Sequence, residues 1–330
     1  MKIFLTGASG FIGRHLVRRL LKDGHTVVAC FRSWSNVDEF RNQRIEVMQD
    51  DLLESDDLAS KMRGCDTVIH CAALVDLWAR PAQYQKLNIE LTKKLLATAK
   101  ESGIKQFVFM SCANVVLNKN KPILNGDESL PYCNQDEFLY SRSKALAEQI
   151  VLSNQSKTFK TIAIRPAFVW GAGDMVDRKI GQAANAGNFG WFDRGHYIYS
   201  TCYVGNLCEA ISLLVQKEDV DGAFFISDDE TVDLRTFLSE RLRVGGFIVP
   251  TLSVPKLVAW PLARFAENGW SALPLKGEPP LVREAVRTMG YPFTVSNSKA
   301  KSAFSYRAFY SIEEGMEEIK NMRAKRPVFS

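Results

Sequence analysis

The chain has 330 residues, 46 % apolar and 24 % charged, with 42 Lys and Arg against 37 Asp and Glu for a net charge of +5. At about 150 residues per domain this length accommodates two domains, and the apolar share excludes a disordered or fibrous chain. So small a positive excess argues against a dedicated nucleic-acid binder.

Seven cysteines stand at positions 30, 65, 71, 112, 133, 202 and 208. They form no C-x-x-C pair and no Cys/His cluster at zinc-ligand spacing, so reduced thiols in a cytoplasmic protein without a metal site are expected. Met1-Lys2 passes directly into Ile3-Phe4-Leu5 and then glycines, too short an apolar stretch for a signal peptide. No window reaches ~18 uncharged apolar residues, the length of a membrane span. The nearest approach, 244–275, is interrupted by Lys256, Arg264, Glu267 and four prolines. A soluble protein without a transmembrane segment is expected.

In chain order, runs of Val, Ile, Phe and Thr at 3–6, 26–31, 45–48, 67–70, 107–110 and 161–164 predict buried strands. Between them Ile12, Leu16 and Leu20 recur at helical spacing, as do Leu87, Leu91, Leu95 and Leu96 within 83–101. Strand and helix in repeated alternation predict an α/β fold, a doubly wound parallel sheet over residues 1–165. After Arg165-Pro166 the pattern loosens: glycines crowd 171–195, a helix is expected at 206–217 and a strand at 224–227. Asp233 is read as the cap of a helix reaching about Arg243, and Ser311-Ile312-Glu313-Glu314 has the spacing of a capping box. Residues 245–280, rich in Gly, Pro and Trp, show no clear element. The region 166–330 is expected to shape the substrate pocket and to interleave with the first.

Directly after the first strand stands Thr6-Gly7-Ala8-Ser9-Gly10-Phe11-Ile12-Gly13. Gly7 permits a tight turn, Gly10 lets backbone approach a pyrophosphate, and Gly13 allows the helix to pack closely. The N–H groups that open the helix then favour phosphate. The end of the second strand reads Phe31-Arg32-Ser33, with no acid before Asp38. Arg32 pairs well with a 2′-phosphate and Ser33 adds a hydrogen bond, so NADP(H) is expected over NAD(H). Asp51, beside Leu52 after the third strand, either accepts from an adenine amino group or is a loop acid. The small side chains of Cys71, Ala72 and Ala73, after His70, let a cofactor lie against the sheet edge.

Tyr140 and Lys144 are four apart on an expected helix and share one face. A phenol of pKa ~10 is a poor base, but an ammonium one turn away stabilises phenolate. Tyr140 is then the acid/base of a hydride-transfer reaction, and Lys144 also serves the cofactor ribose.

Together these residues resemble the extended short-chain dehydrogenase/reductase family, within the NAD(P)-dependent epimerase/dehydratase superfamily. The resemblance is carried by the glycine turn, Asp51-Leu52, His70-Cys71-Ala72-Ala73, Tyr140/Lys144 and Arg165-Pro166-Ala167-Phe168-Val169-Trp170-Gly171, and it runs nearly end to end. Asn297-Ser298-Lys299-Ala300, Phe304-Ser305-Tyr306 and Glu313-Glu314-Gly315 look like the closing segment of the branch holding 3β-hydroxysteroid dehydrogenases and dihydroflavonol reductases. Asn88, read at the head of its helix, also matches. The resemblance implies a Rossmann-type sheet, Asp51 at the adenine, and Ala72 and Ala73 along the cofactor. It also implies that Pro166, Ala167, Phe168 and Val169 back the nicotinamide, and that a homodimer forms through the helices near 85–101 and 138–153.

Two positions depart from the family pattern. Its third catalytic residue is a hydroxyl after the fifth strand, whereas here Cys112 occupies that place with Ser111 just before it. A thiol is a weaker donor, and alternation along a strand lets only one of the two face the substrate. A cysteine nucleophile is not expected, since His15, His25, His70 and His196 offer no evident base. Second, Tyr203-Val204-Gly205-Asn206-Leu207 carries glycine where the family usually has Asp.

Phe247, Val249, Leu252, Leu257, Trp260, Leu262, Phe265 and Trp270 suit either a wall for an apolar ligand of steroid, terpenoid or flavonoid type or simple packing. A nucleotide-sugar epimerase or dehydratase would want clustered basic groups, but Arg178, Lys179, Arg194, Arg235, Arg241 and Arg243 are scattered. The expected function is therefore NADP(H)-dependent interconversion of a secondary alcohol and a ketone on an apolar molecule. The alternatives are nucleotide-sugar chemistry and a non-catalytic NADP(H) sensor, and the latter would need neither Tyr140 nor Lys144.

Overall fold

A computed structural model describes residues 1–31, 40, 45–118, 121–273 and 275–324. Strand β1 (Lys2–Thr6) turns into α1 (Phe11–Lys22), followed by β2 (Thr26–Phe31), β3 (Ile45–Gln49), α2 (Leu58–Met62) and β4 (Thr67–His70). Helix α3 (Pro81–Tyr84), a π-helical segment (Gln85–Glu90) and α4 (Leu91–Glu101) then run without a break. Next come β5 (Gln106–Met110), β6 (Ile123–Gly126), α5 (Leu139–Leu152) and β7 (Lys160–Pro166). Every expected strand of the first region is present, because a parallel sheet covered on both faces selects continuous apolar runs. In α1 the buried face is Gly13, Leu16, Val17 and Leu20.

The second region adds β8 (Phe168–Trp170), α6 (Gly181–Asn185), β9 (Trp191–Phe192), β10 (Ile198–Tyr203), α7 (Val204–Val215) and β11 (Gly222–Ile226). It continues with β12 (Thr231–Asp233), α8 (Leu234–Val244), β13 (Ser253–Val254), α9 (Lys256–Ala272), α10 (Arg283–Met289), β14 (Phe293–Val295), α11 (Ser298–Phe304) and α12 (Ile312–Ala324).

The main sheet has seven parallel strands in the order β11-β7-β5-β4-β1-β2-β3. From β1 the chain builds outward in one direction through β2 and β3 and in the other from β4 onward. Thr6 and His70 are register partners at the carboxyl ends of β1 and β4. That switch point is where open α/β sheets bind ligands. Residues beyond 165 return to complete this sheet, β11 pairing with β7 and α7 packing on α1. Conversely, β6 leaves the first region to join β14 in a smaller sheet of order β12-β10-β14-β6, with β8 on β10.

Local cap signals are realised. Asp233 accepts from the Thr236 N–H at 2.9 Å and opens α8. Ser311 and Glu314 bond each other reciprocally, the Glu314 N–H to Ser311 Oγ at 3.1 Å and the Ser311 N–H to the Glu314 carboxylate at 2.7 Å.

The stretch 245–280 departs from the reading of the sequence. It contains α9, 17 residues long with Pro261 inside it, on the exposed side where the ring disturbs no packing. The expected ligand wall also divides: Trp260 turns inward, edge-on to Phe138 at 6.2 Å, while Leu257 and Phe265 are 91 % and 80 % exposed.

Candidate active site

The glycine turn is built against the end of β4. Gly7 has φ +74°, and a Cβ there would stand 2.7 Å from the Ala72 nitrogen and 2.8 Å from the Cys71 carbonyl carbon. A Cβ on Gly13 would lie 2.1 Å from the Gly7 oxygen, so the helix packs on the turn itself. Thr6 Oγ1 ties the two strand ends together, accepting from the Ala72 N–H at 3.2 Å and meeting His70 Nδ1 at 2.7 Å. His70 Nε2 reaches Thr92 Oγ1 at 3.0 Å. Burial, with Lys144 nearby, pulls the imidazole pKa down to about 3, so His70 is a neutral strut rather than a base.

Gly10 opens α1 with no side-chain cap, and the first turn carries no acid. Its N–H groups and positive end therefore face the turn unopposed. A tight backbone cradle with no room for Cβ, beside an uncapped helix start, fits a dinucleotide pyrophosphate. Ser9 gives its carbonyl to Arg14 Nε at 2.9 Å, Phe11 stands edge-on to His15, and Ile12 packs on the core. Asp50 is taken by Lys61, whereas Asp51 is exposed after β3 with one oxygen on the Leu53 N–H at 3.1 Å; Leu52 is buried. Cys71, Ala72 and Ala73 are half-buried beside Gly7, and burial pushes the Cys71 thiol up to about 12. Arg32 and Ser33 lie outside the described residues.

On the other side of β4, α5 carries Tyr140, Lys144 and, four further on, Glu148. The helix start is held from far along the chain: Glu284 of α10 accepts from the N–H groups of Tyr140 (3.2 Å) and Ser141 (2.9 Å) and from Ser141 Oγ (2.5 Å). Burial raises the Glu284 carboxyl to about 7. Lys144 Nζ donates to the Met110 carbonyl at 2.6 Å and stands 4.0 Å from the Phe109 ring centroid. Burial draws its pKa down to about 8.

The phenol does not shift downward as the Tyr/Lys spacing led one to expect. Burial, followed by its neighbour Cys112, holds Tyr140 well above the ordinary phenol range.

The structure separates Ser111 from Cys112. The Ser111 N–H continues the sheet to Ile164 O at 2.8 Å, and its buried hydroxyl donates to Glu148. Cys112, next along the extended backbone, points the other way and lies beside the Tyr140 hydroxyl. Burial raises its thiol to about 11, so it is a neutral S–H. Pro166 ends β7 in the core, the Ala167 N–H bonds Ile226 O at 2.9 Å, and Phe168 and Val169 are half-buried on β8.

Sequence reasoning missed Glu148, although its i+4 spacing from Lys144 was visible, and missed Glu284, for which no local signal existed. Asn88 is not at a helix head but buried in the π-helical segment. It bonds both backbone groups of Leu74 and donates to Ser143 Oγ at 2.9 Å, linking the loop after β4 to α5. Gly205 also finds its reason: a Cβ there would stand 2.5 Å from the Tyr203 ring and 3.1 Å from that of Tyr310, so these two aromatics occupy the space of an Asp. Among the described residues, no group of three or more His, Cys, Asp or Glu is placed to hold a metal ion.

Residues 4–251 match the sequence model of the 3-beta hydroxysteroid dehydrogenase/isomerase family. The chain belongs to this family. Its curated relatives include the 4-hydroxy-2-methyl-3-oxo-4-farnesyl-3,4-dihydroquinoline-1-oxide ketoreductase of Stigmatella aurantiaca, 31 % identical over 97 % of this chain and 96 % of that one. The decarboxylating sterol-4-alpha-carboxylate 3-dehydrogenase of Dictyostelium discoideum is 29 % identical over 96 % of this chain and 99 % of that protein. Among solved structures, the UDP-glucuronic acid 4-epimerase of Bacillus cereus in complex with NAD superposes with a TM-score of 0.74 at 19 % identity, covering 98 % of this chain and 99 % of that one. At that identity the likeness establishes the Rossmann-type fold. As a member of the 3-beta hydroxysteroid dehydrogenase/isomerase family, the chain is an NAD(P)-dependent oxidoreductase of the extended short-chain type.

Proposed function

We propose that the enzyme interconverts a ketone and a secondary alcohol on an apolar, ring-containing molecule, with NADP(H) preferred over NAD(H) and Tyr140 as the acid/base. The observation that carries this reading is the placement of Tyr140 on α5 beside Cys112, one turn from a Lys144 whose Nζ is fixed on Met110 O. The glycine turn of Gly7, Ser9, Gly10, Phe11, Ile12 and Gly13 would hold the pyrophosphate and Asp51 the adenine. Cys71, Ala72 and Ala73 would flank the cofactor, and Pro166, Ala167, Phe168 and Val169 would back its nicotinamide. The bound nicotinamide supplies or accepts the hydride. Tyr140 gives its proton to the substrate oxygen as charge builds there, Lys144 stabilises the resulting phenolate, and Cys112 orients that oxygen.

Three of the six basic groups that a sugar diphosphate could use are already engaged. Arg241 is buried on Asp174, Lys179 pairs with Asp76 and Glu278, and Arg235 donates to the Arg194 carbonyl. A turnover screen of polycyclic and isoprenoid ketones against UDP- and GDP-sugars tests the substrate class. Ketone reduction without sugar turnover is expected, and the reverse would replace the proposal.

Two sets of variants sharpen the site. Because a hydroxyl donates better than a thiol, Cys112→Ser is expected to raise kcat and Cys112→Ala to lower it. Ser111→Ala should leave kcat near wild type and lower stability by about 1 kcal/mol. A collapse of turnover in Ser111→Ala with wild-type turnover in Cys112→Ala would reverse the roles. For the cofactor, Arg32→Ala is expected to raise the KM for NADPH by about tenfold, the worth of a charge-assisted bond to phosphate, with that for NADH unchanged. Equal losses for both cofactors would refute the 2′-phosphate role.

A further inference from the structure

Helices α5 and α10 both begin without a cap of their own, and each is capped by a carboxylate from another helix. Phe138 precedes α5 and Val282 precedes α10, and neither side chain can accept from the N–H groups of a first turn. In α5 those groups belong to Tyr140 and Ser141. Glu284 of α10 takes one on each oxygen, at 3.2 and 2.9 Å, and also accepts from Ser141 Oγ at 2.5 Å. In α10 the group is the Arg283 N–H, which Glu267 of α9 accepts at 2.7 Å while its other oxygen holds Arg283 Nε at 2.5 Å. Glu267 thus secures the residue before Glu284, and Glu284 secures the residue that carries the phenol. Trp260 of α9 adds an edge-on contact with Phe138, from which α5 starts.

Tyr140 is where such a cap has most effect. It is second in α5, within the turn that frays when its end groups are unbonded. Lys144 and Glu148 lie one and two turns further in and are anchored on Met110 O and Arg165. Of the three, Tyr140 therefore depends on the cap for its position. Glu284 is itself buried, so water does not compete for its bonds. Nor is its charge what serves the phenol, since a carboxylate nearby opposes formation of phenolate. What Glu284 supplies is geometry.

We propose that Glu284 is a positioning residue of this enzyme: reaching in from beyond residue 165, it fixes the first turn of α5 and so sets where the Tyr140 hydroxyl meets the substrate oxygen. This rests on the reading of Tyr140 as the acid/base. A misplacement of about 1 Å at the reacting groups is enough to cost about 100-fold in rate.

The test compares Glu284→Gln and Glu284→Asp, each alone and in the Tyr140→Phe background, by steady-state reduction of a ketone that the wild-type enzyme turns over and by titration with NADPH. Gln keeps the length and an acceptor for Ser141 but turns an amide N–H toward that of Tyr140. Asp keeps the charge but withdraws it by one methylene. Each single variant should lower kcat by about tenfold or more, with KM and the Kd for NADPH near wild type. In the Tyr140→Phe background neither should lower kcat further, because the group being positioned is already gone. Wild-type turnover in either single variant overturns the proposal, as does a rise in Glu284→Gln, which would make the opposing charge the larger effect. It is also overturned by an equal loss in the Tyr140→Phe background, or by KM and Kd rising as kcat falls, which a carboxylate that merely held the fold would produce. Full turnover in Tyr140→Phe alone would remove the acid/base reading and this proposal with it, an outcome visible before Glu284 is changed.

Discussion

Tyr140→Phe is expected to lower kcat by about 10²- to 10⁴-fold, the range for loss of a general acid, while the Kd for the dinucleotide stays near wild type. The substitution removes a single oxygen from a half-buried ring, so packing is retained and the lost group is the proton donor beside Cys112. Because burial holds the phenol well above its ordinary pKa, Tyr140 enters each reduction protonated throughout the physiological range. The partner that titrates is Lys144. Burial brings its pKa down to about 8, so the ammonium is present below that value and is lost as pH rises through it. The sign follows: ketone reduction should hold steady up to about pH 8 and decline above it. A Tyr140→Phe enzyme with wild-type turnover would remove Tyr140 from the mechanism, and a reduction rate indifferent to alkaline pH would remove the charge on Lys144.

What the sequence disclosed follows from the range over which its signals act. Buried parallel strands announce themselves as apolar runs, and the glycine turn, the Asp233 cap and the Ser311/Glu314 box are written within a few residues. Alternation along the extended backbone narrowed position 111 or 112 to one. It could not say which, because that phase is set by where the strand's last bonds fall, here Ser111 N–H on Ile164 O. Glu284 was illegible because it meets Tyr140 from 144 residues away. The expectation of a lowered phenol pKa failed because spacing registers a neighbouring ammonium but not burial, and burial is the larger effect here. Helix α9 was hidden by Pro261 and by an apolar face turned outward, which defeats the rule that large apolar residues point to the core.

The second large effect concerns the charges behind the site. Glu148 and Arg165 are 0 % and 2 % exposed and pair through Arg165 Nε (2.9 Å) and Nη2 (2.7 Å), with the Ser111 and Tyr132 hydroxyls on the same carboxylate. Burial opposes the guanidinium charge, but Glu148 keeps its pKa above the ordinary value. Glu148→Ala is therefore expected to lower stability by about 3–5 kcal/mol, because it strands a buried cation and leaves two hydroxyls without their acceptor. The measurement is the urea midpoint at unchanged m-value. Replacing both charges together, as Glu148→Met/Arg165→Met, should recover most of that loss, since a buried pair repays little beyond its own desolvation. If Glu148→Ala costs under 1 kcal/mol, Arg165 must reach water and the network cannot be what fixes Ser111. If it costs the expected amount and also depresses kcat, the carboxylate does more than stabilise the fold: by holding Ser111 turned away, it leaves the next residue, Cys112, facing Tyr140.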